Sequence, residues 1–198
     1  MYQSILTTLS AALLILVIFW TLTNTKEEPP PIEPAIIYEP EHEEPPEMVG
    51  KTTDDFEQDQ LQCLALNVYH ESRSDNFAGR VGVADVVLNR VNSNLFPDTI
   101  CDVVQQSKTR VNWKGNVVPV RGMCHFSWYC DGLSDEPLEE DAWEDAQVVA
   151  ELVLNGGFRG IAEGATHYHA TYVEPNWIND RGMVPVGRIG EHKFYRWH

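Results

Sequence analysis

The chain has 198 residues and a formal net charge of −16, and this length suits one globular domain with additional tails. Residues 26–60 contain 12 of the 30 acidic residues and only two of the 14 basic ones, so much of the negative charge belongs to a tail. Phosphate binding requires a dense face of Lys and Arg, which the sequence lacks. We therefore expect no nucleic-acid partner.

The run from Ile5 to Leu22 contains no charged residue. At helical rise its 18 residues nearly cross the hydrocarbon layer of about 30 Å. No basic residue precedes the run and no A-x-A-like site follows it, which favours an uncleaved signal anchor over a removable signal peptide. We therefore predict that residues 1–25 anchor the chain in the inner membrane through residues 5–22.

Residues 26–53 are rich in Pro and Glu and show neither helical nor strand periodicity. Such a segment buries too little apolar surface to offset its chain entropy, so we expect a disordered linker. Its acidity directly behind the span favours a location outside the cytoplasm, in the periplasm or cell envelope, for a domain at residues 54–198.

A first helix is predicted from Asp54 onward, because Asp55 and Gln58 have the spacing of a capping box. Apolar residues then recur at helical spacing, at Leu61, Leu64, Ala65, Val68 and Tyr69. On this helix Glu71 falls at the border between the apolar stripe and the solvent side, near the helix end.

Two further helices and two strands are predicted along the chain. The segment GRVGVADVVLNRV (79–91) is apolar on nearly every side, which predicts a buried helix, and its two glycines would allow close packing. A third helix is predicted from Asp141 to Leu154. THYHATYV (166–173) and KFYRW (193–197) are typical of short strands or extended loops. The predicted fold class is mainly α (α+β), with a small irregular or β-containing C-terminal part.

Four cysteines, Cys63, Cys101, Cys124 and Cys130, are typical of disulfides in an exported domain. They do not form two CxxC pairs, so a zinc ribbon is not expected. Spacing alone leaves three disulfide pairings open.

Glu71 is the candidate catalytic acid. A carboxylic acid protonates a glycosidic oxygen only when its pKa is raised, and partial burial beside an apolar stripe is the usual cause. The competing interpretation is a solvated glutamate at a helix end, and the position on the helix does not by itself decide between them.

Several blocks of the sequence closely resemble the SleB/CwlJ-like cell-wall hydrolase family. They are YHESRSDNFAGRVGVADVVLNRVNSNLFPDTICDVVQQ (69–106), CHFSWYCDG (124–132), ATHYHATYVEPNW (165–177) and IGEHKFYRW (189–197). The resemblance extends from about Asp59 to Trp197. It implies a lysozyme-like helical fold, a peptidoglycan glycan strand as substrate, and Glu71 as the catalytic residue at the bond between N-acetylmuramic acid and N-acetylglucosamine.

The resemblance also implies a lytic transglycosylase without a cofactor, in which one carboxyl group acts first as acid and then as base and leaves a 1,6-anhydro sugar. A muramidase would need a second carboxylate about 5–9.5 Å away. Asp75 and Asp85 are the candidates for it. The competing interpretations are a capping role for Asp75 and pairing of Asp85 with Arg80 or Arg90.

The FSW block supplies candidate substrate-binding residues, Phe126, Ser127 and Trp128, because aromatic planes stack on sugar rings and a hydroxyl can bond an N-acetyl group. Core packing is equally consistent for Phe126. The family usually has Gln at position 125, where this chain has His125. Disulfides Cys124–Cys130 and Cys63–Cys101 would then fix this loop and tie the first helix to the segment after the second.

Tyr168 and His169 are expected to line the substrate groove or to hold the helix of Glu71 by hydrogen bonds. A zinc amidase or peptidase is an alternative, in which His125, His167 and His169 join a Glu as ligands. A non-catalytic wall-binding module is another. Host wall remodelling and phage lysis, as by an endolysin, both remain open, and the sequence indicates no oligomeric state.

Overall fold

The computed structural model describes residues 52–198, which lie in one compact unit. The predicted membrane span at residues 5–22 and the predicted linker up to residue 51 lie outside these residues. Within 52–198, no helix is both long enough and apolar enough to span a bilayer.

Four α-helices and five strands make up the described chain. The helices are α1 (Thr53–Ser72), α2 (Phe77–Val91), α3 (Ile100–Val104) and α4 (Glu140–Leu154). The strands are β1 (Ser107–Val111), β2 (Val117–Cys124), β3 (His167–Ala170), β4 (Met183–Ile189) and β5 (His192–Trp197). Two short 3-10 helices, Ser127–Cys130 and Asn176–Asn179, follow β2 and β3.

The helix α1 begins with a capping box, but one turn earlier than predicted. Thr52 Oγ1 accepts from the amide of Asp55 at 3.2 Å, and Asp55 Oδ2 accepts from the amide of Thr52 at 3.0 Å. The predicted box between Asp55 and Gln58 is therefore wrong, because Asp55 closes the box as its third helical residue instead of opening it.

The helix α2 lies at the centre of the domain and is buried on nearly all sides, as predicted. At Gly82 an added Cβ would lie 2.8 Å from the ring of Phe194 on β5, so the glycine permits this close approach. The main core is shared by all four helices and includes Leu64, Val68, Val81, Ala84, Val87, Val103, Val149 and Val153. Each of the Leu and Val side chains contributes roughly 1.5–3 kcal/mol on burial.

The helix α4 is confirmed to within one residue at its start. The apolar stripe formed by Ala146, Val149, Ala150 and Val153 is buried against the core. The chain leaves the helix at Gly156, whose φ of +85° suits glycine at this position.

Both predicted strands are confirmed as β3 and β5. In the antiparallel sheet, β5 lies between β3 and β4, while β1 and β2 form a separate antiparallel hairpin. The domain is therefore a mixed α+β fold. Contrary to the prediction, β structure is not confined to the C-terminal part, because the hairpin occupies the middle of the chain.

The sequence pattern does not predict the hairpin or β4, for a physical reason in each case. The strand β1 has the sequence SKTRV and is exposed along four of its five residues, so no alternation of apolar and polar residues marks it. The strand β4 contains Pro185 and Gly187, which stand at an irregularity in its pairing with β5. Both residue types are uncommon inside strands.

The structure contains both of the expected disulfides. Cys63–Cys101 joins α1 to α3, with the Cα atoms 5.2 Å apart. Cys124–Cys130 joins the end of β2 to the following 3-10 helix, with the Cα atoms 6.1 Å apart. The second disulfide closes the short loop that carries the FSW block.

Candidate active site

Glu71 is the penultimate residue of α1 and lies where two cavities meet. Its side chain is half-buried. One cavity, which we call the acidic cleft, has a volume of about 570 Å³ and includes Ser127, Trp128, Asp131 and Asp135 in its wall. The other, the inner pocket, has a volume of about 130 Å³. Of the described residues, only Glu71 lines both.

The inner pocket surrounds Glu71 with residues from distant parts of the chain. Its wall is formed by Arg90 from α2, by the segment after β2, by β3 and by the second 3-10 helix, which together contribute Arg90, His125, Phe126, His167, Tyr168 and Trp177. A half-buried carboxyl group thus has aromatic and cationic neighbours on one side and an open cleft on the other.

Tyr168 makes the expected hydrogen bond, donating from its hydroxyl to Glu71 Oε2 at 3.1 Å. Its ring lies 5.8 Å from that of Phe194 and 5.2 Å from that of His192, measured between centroids. Burial raises the pKa of Glu71, while the Tyr168 hydrogen bond and the charge of Arg90 act in the opposite direction. Burial also raises the pKa of Tyr168, so this hydroxyl remains a donor at neutral pH.

Arg90 places a buried guanidinium in the wall of the inner pocket. It is 5% exposed, and its Nε donates to the carbonyl of Thr166 at 2.7 Å. The guanidinium carbon lies 4.8 Å from the ring centroid of Phe126 and 5.1 Å from that of Phe96. Among the described residues, Nη1 has no hydrogen-bond partner. The pocket wall therefore contains a buried donor that the protein itself does not use.

The two histidines of the inner pocket are neutral at neutral pH. Burial, then the charge of Arg90 and then His125 lower the pKa of His167 to about 4. Burial and Arg90 lower the pKa of His125 as well. The positive charge in this pocket is therefore that of Arg90.

The acidic cleft has a different character. Trp128 is 8% exposed in its wall; its Nε1 donates to Asn67 Oδ1 at 3.1 Å, and its ring stacks on His70 at 4.6 Å between centroids. Burial raises the pKa of Asp135, His70 opposes this shift, and Asp131 adds to it. Four carboxylates besides Glu71, namely Asp131, Asp135, Glu136 and Glu139, line the cleft.

The structure brings together most of the predicted substrate-binding residues. Ser127 and Trp128 line the acidic cleft, and Tyr168 lines the inner pocket. Phe126 also lines the pocket, but it is 2% exposed and belongs to the core. It therefore shapes the pocket and carries Arg90 without offering an open aromatic face.

His169 lies in neither cavity. It is 7% exposed, its Nε2 lies 3.1 Å from the hydroxyl of Tyr195, and its ring stacks on the same tyrosine. It also contacts Trp177 edge-on at 5.7 Å between centroids. Its place is behind the pocket wall, where it packs against Trp177.

Neither Asp75 nor Asp85 lines a cavity with Glu71. Asp75 is buried and accepts from the backbone of Asn76 and Glu191 and from His192 Nδ1, which supports a structural role. The N-cap of α2 is its neighbour Asn76. Asp85 is fully buried and accepts from the backbone of Gly160 and Ala162.

Asp85 pairs with an arginine, as predicted, but neither Arg80 nor Arg90 is that arginine. Arg159 pairs with Asp85 at 2.9 Å. Arg80 instead pairs with Asp145 at 2.6 Å, and Arg90 is used at the inner pocket. The correct partner lies in the loop after α4, which has no sequence pattern that marks it as a neighbour of α2.

In residues 52–198, no group of three or more His, Cys, Asp or Glu side chains is placed to hold a metal ion. His125 and His167 line the inner pocket, whereas His169 is turned toward Tyr195. The three histidines therefore do not form the zinc site considered from the sequence.

The sequence does not single out Trp177 or the carboxylates Asp131 and Asp135. Trp177 stands at the end of the quoted ATHYHATYVEPNW block, and both aspartates follow the FSW block, so only their nearness to these motifs could have suggested them. Exposed acidic residues in a loop are common and carry no signal of their own.

Comparison with known proteins shows the family of the chain. Residues 74–195 match the family described as Cell Wall Hydrolase. The chain is 41% identical over 139 residues to a spore cortex-lytic enzyme of Bacillus subtilis, and 36% identical over 140 residues to one of Halalkalibacterium halodurans. Each alignment covers 70% of this chain, but only 38% and 35% of the two relatives. The chain thus spans less than two fifths of the length of these relatives.

A solved structure is also similar. The catalytic domain of the germination-specific lytic transglycosylase SleB from Bacillus anthracis superposes with a TM-score of 0.52 and 25% sequence identity. The superposition covers 75% of this chain and 98% of that domain. Because the family match covers more than half of its length, this chain belongs to the cell wall hydrolase family.

Proposed function

We propose that this protein is a lytic transglycosylase that cleaves the bond between N-acetylmuramic acid and N-acetylglucosamine in peptidoglycan, with Glu71 as its single acid and base. The observation that carries the proposal is the position of Glu71, half-buried between two cavities with a raised pKa and a hydrogen bond from Tyr168. The similarity to the solved SleB catalytic domain supports the same reaction class.

In the first step Glu71 is protonated and gives its proton to the glycosidic oxygen. The bond between this oxygen and the anomeric carbon of the muramyl sugar breaks, and the leaving sugar departs with a free hydroxyl. The raised pKa increases the protonated share of Glu71 relative to an exposed carboxyl group, as a general acid requires.

In the second step the Glu71 carboxylate accepts the proton of the muramyl 6-hydroxyl. This oxygen bonds to the anomeric carbon and closes the 1,6-anhydro ring, and Glu71 is again protonated. One carboxyl group therefore balances both proton transfers without an attacking water.

The neighbours of Glu71 fit the two charge states. Tyr168 donates to Oε2 and restrains the carboxyl group. Arg90 provides a nearby positive charge when Glu71 becomes a carboxylate in the transition state. Trp128 and Ser127, in the cleft wall, are the groups we assign to sugar binding.

Product analysis tests the proposal. The protein is incubated with purified sacculi, and we expect anhydro-muropeptides by mass spectrometry. Glu71→Gln keeps the shape of the side chain but cannot transfer a proton, so its kcat should fall at least about 10³-fold. Glu139→Gln, the same change on an exposed residue of the cleft, is the matched control and should change kcat less than about fivefold.

Two outcomes would contradict the proposal. Full activity of Glu71→Gln would exclude Glu71 as the proton donor. If both wild type and Glu71→Gln bind sacculi and neither cuts them, the protein is a binding module and not an enzyme.

A muramidase is the second candidate, and Asp135 is the observation that favours it. This carboxyl group is half-buried in the same cleft as Glu71, and burial raises its pKa. A second carboxylate could activate a water molecule. Products with reducing ends in place of anhydro sugars would establish this candidate.

We further propose that the domain works outside the cytoplasm, tethered through residues 5–22 and the acidic linker. Two disulfides within the domain support an oxidising compartment. Cell fractionation and protease protection test the proposal, because the domain should remain with the inner membrane and be digested only from the outer side.

A further inference from the structure

The β1–β2 hairpin concentrates positive charge in an acidic protein. From Val103 to Cys130 the sequence contains four Lys or Arg and no Asp or Glu, although the whole chain has a net charge of −16. The four are exposed and are Lys108, Arg110, Lys114 and Arg121. None of them forms an ion pair with another described residue, so these charges face solvent.

The tip of the hairpin presents an aromatic ring in a defined turn. Trp113 is 90% exposed. The side chain of Asn112 accepts from the backbone of Lys114 at 2.9 Å and of Asn116 at 3.0 Å, which fixes the turn around the tryptophan. Lys114 Nζ lies 4.9 Å from the Trp113 ring centroid. An exposed tryptophan has a large apolar face that the rest of the domain leaves accessible to solvent.

The base of the hairpin adjoins the active site. The amide of His125 donates to the carbonyl of Gln106 at 2.9 Å and closes the base, and His125 and Phe126 then enter the wall of the inner pocket. At about 3.4 Å per residue, a strand of this length extends roughly 15 Å from that base. This is longer than the Debye length of about 8 Å at physiological ionic strength. A ligand at the tip is therefore exposed to the hairpin's own charge and is screened from the acidic body.

We propose that this hairpin is a binding arm for peptidoglycan, in which its four basic side chains contact the free carboxylates of the stem peptides and Trp113 packs on a sugar ring. The inference rests on the proposed function, because it takes the same polymer as substrate. The wall polymer repels a protein of this net charge, and the arm supplies the local attraction that association requires.

Binding to sacculi tests the arm without requiring catalysis. Full-length Glu71→Gln is mixed at low salt with sacculi freed of phosphate-containing polymers, and the bound fraction gives Kd. Adding Lys108→Ser and Arg110→Ser should weaken binding about 2- to 30-fold, as two exposed ion pairs allow. Arg181→Ser with Arg196→Ser removes the same charge from exposed positions elsewhere and should leave Kd unchanged. Trp113→Ala should weaken binding about tenfold.

Two treatments identify the ligand groups. The difference between the Lys108→Ser/Arg110→Ser variant and the control variant should vanish when the sacculus carboxyls are amidated, and it should vanish at high salt. The effect of Trp113→Ala should persist under both treatments, because packing on a sugar ring does not depend on charge. Equal Kd values for the hairpin and control variants at low salt would overturn the inference. Hairpin-dependent binding to anionic phosphatidylglycerol vesicles without such binding to sacculi, or binding restored only by the phosphate-containing polymers, would also overturn it.

Catalysis on short soluble glycan fragments separates this inference from the proposed function. In a chain with an intact Glu71, the hairpin variants should cleave such fragments at the wild-type rate, since the fragments do not need the arm. If the wild-type chain binds sacculi through the hairpin but cuts no glycan, the proposed function is refuted and the inference about the binding arm is still supported.

Discussion

The inner pocket and the acidic cleft share Glu71 but give it opposite surroundings. The pocket has a volume of about 130 Å³ and supplies a buried cation, Arg90, and a hydroxyl donor, Tyr168. The cleft has a volume of about 570 Å³ and supplies further carboxylates and Trp128. The groups that control the ionisation of Glu71 are thus on the pocket side, while the larger cleft has room for a glycan strand. Substitutions on the two sides should therefore have effects of different kinds.

Arg90→Met should have the largest effect among the neighbours of Glu71, with kcat lower by about 10²-fold because a buried charge is lost. The charge of Arg90 lowers the pKa of Glu71, so its removal raises that pKa further. Glu71 acts as an acid in its protonated form, and the high-pH limb of kcat should move to higher pH. Arg90→Lys should return this limb toward its wild-type position.

Arg80→Met provides the matched control for this prediction, because Arg80 lies on the same helix but pairs with Asp145. It should leave the pH profile unchanged. An unaltered high-pH limb in Arg90→Met would contradict the electrostatic role assigned to the pocket.

Tyr168→Phe should lower kcat about 2- to 13-fold, the range for the loss of one hydrogen bond to a protonated carboxyl group. In the wild type this hydrogen bond lowers the pKa of Glu71. Its loss should therefore raise that pKa and move the high-pH limb of kcat to higher pH. Tyr195→Phe removes a hydroxyl that meets His169 and not Glu71, and it should keep the wild-type profile. Equal profiles for the two variants would argue against pocket control of Glu71.

Asp135→Asn tests the cleft side, and we expect kcat to change less than about fivefold with anhydro products retained. Its carboxyl shares the cleft with Glu71, but the proposed reaction gives it no proton to transfer. A loss above about 100-fold, together with reducing-end products, would instead establish a hydrolase with two carboxylates.

His167→Gln should have the smallest effect, and it should appear in stability at acid pH. The pKa of His167 is about 4 in the folded protein and near its ordinary value of 6.5 in the unfolded chain. Between these values the unfolded chain binds more protons, so His167 makes stability fall as pH drops from 6.5 toward 4. Denaturant unfolding of His167→Gln should show a smaller loss between pH 7 and pH 5, whereas a loss equal to that of the wild type would contradict the shifted pKa.

The sequence predicts the helices well because their cores follow a strong period. A helical conformation buries the apolar residues of segment 79–91 and of the α4 stripe, and both helices are observed as predicted. The hairpin escapes prediction since β1 is exposed on both faces, and β4 since Pro185 and Gly187 interrupt it. The local sequence pattern indicates which residues are buried, and β1 and β4 bury few of their residues.

The sequence predicts site residues only where they lie in blocks that resemble the cell-wall hydrolase family. Glu71 and Tyr168 are 97 residues apart in the sequence, and no local pattern reports their hydrogen bond. The role of Arg90 depends on the aromatic rings of Phe96 and Phe126, which converge on it from two loops. His169 was expected beside the substrate, yet its ring stacks on Tyr195 and contacts Trp177 edge-on, and these long-range contacts have no local sequence pattern.

The strand order of the sheet has a consequence for how the protein is made. β5 follows every other element in the chain and lies between β3 and β4, so neither of these strands has its partner until β5 has been synthesised. Tyr168 belongs to β3 and reaches Glu71 across a separation of 97 residues. Contacts of such sequence separation form slowly. A ribosome-bound chain with all four helices would therefore still lack the hydroxyl group that bonds the Glu71 carboxyl, and the last strand completes the sheet that carries Tyr168.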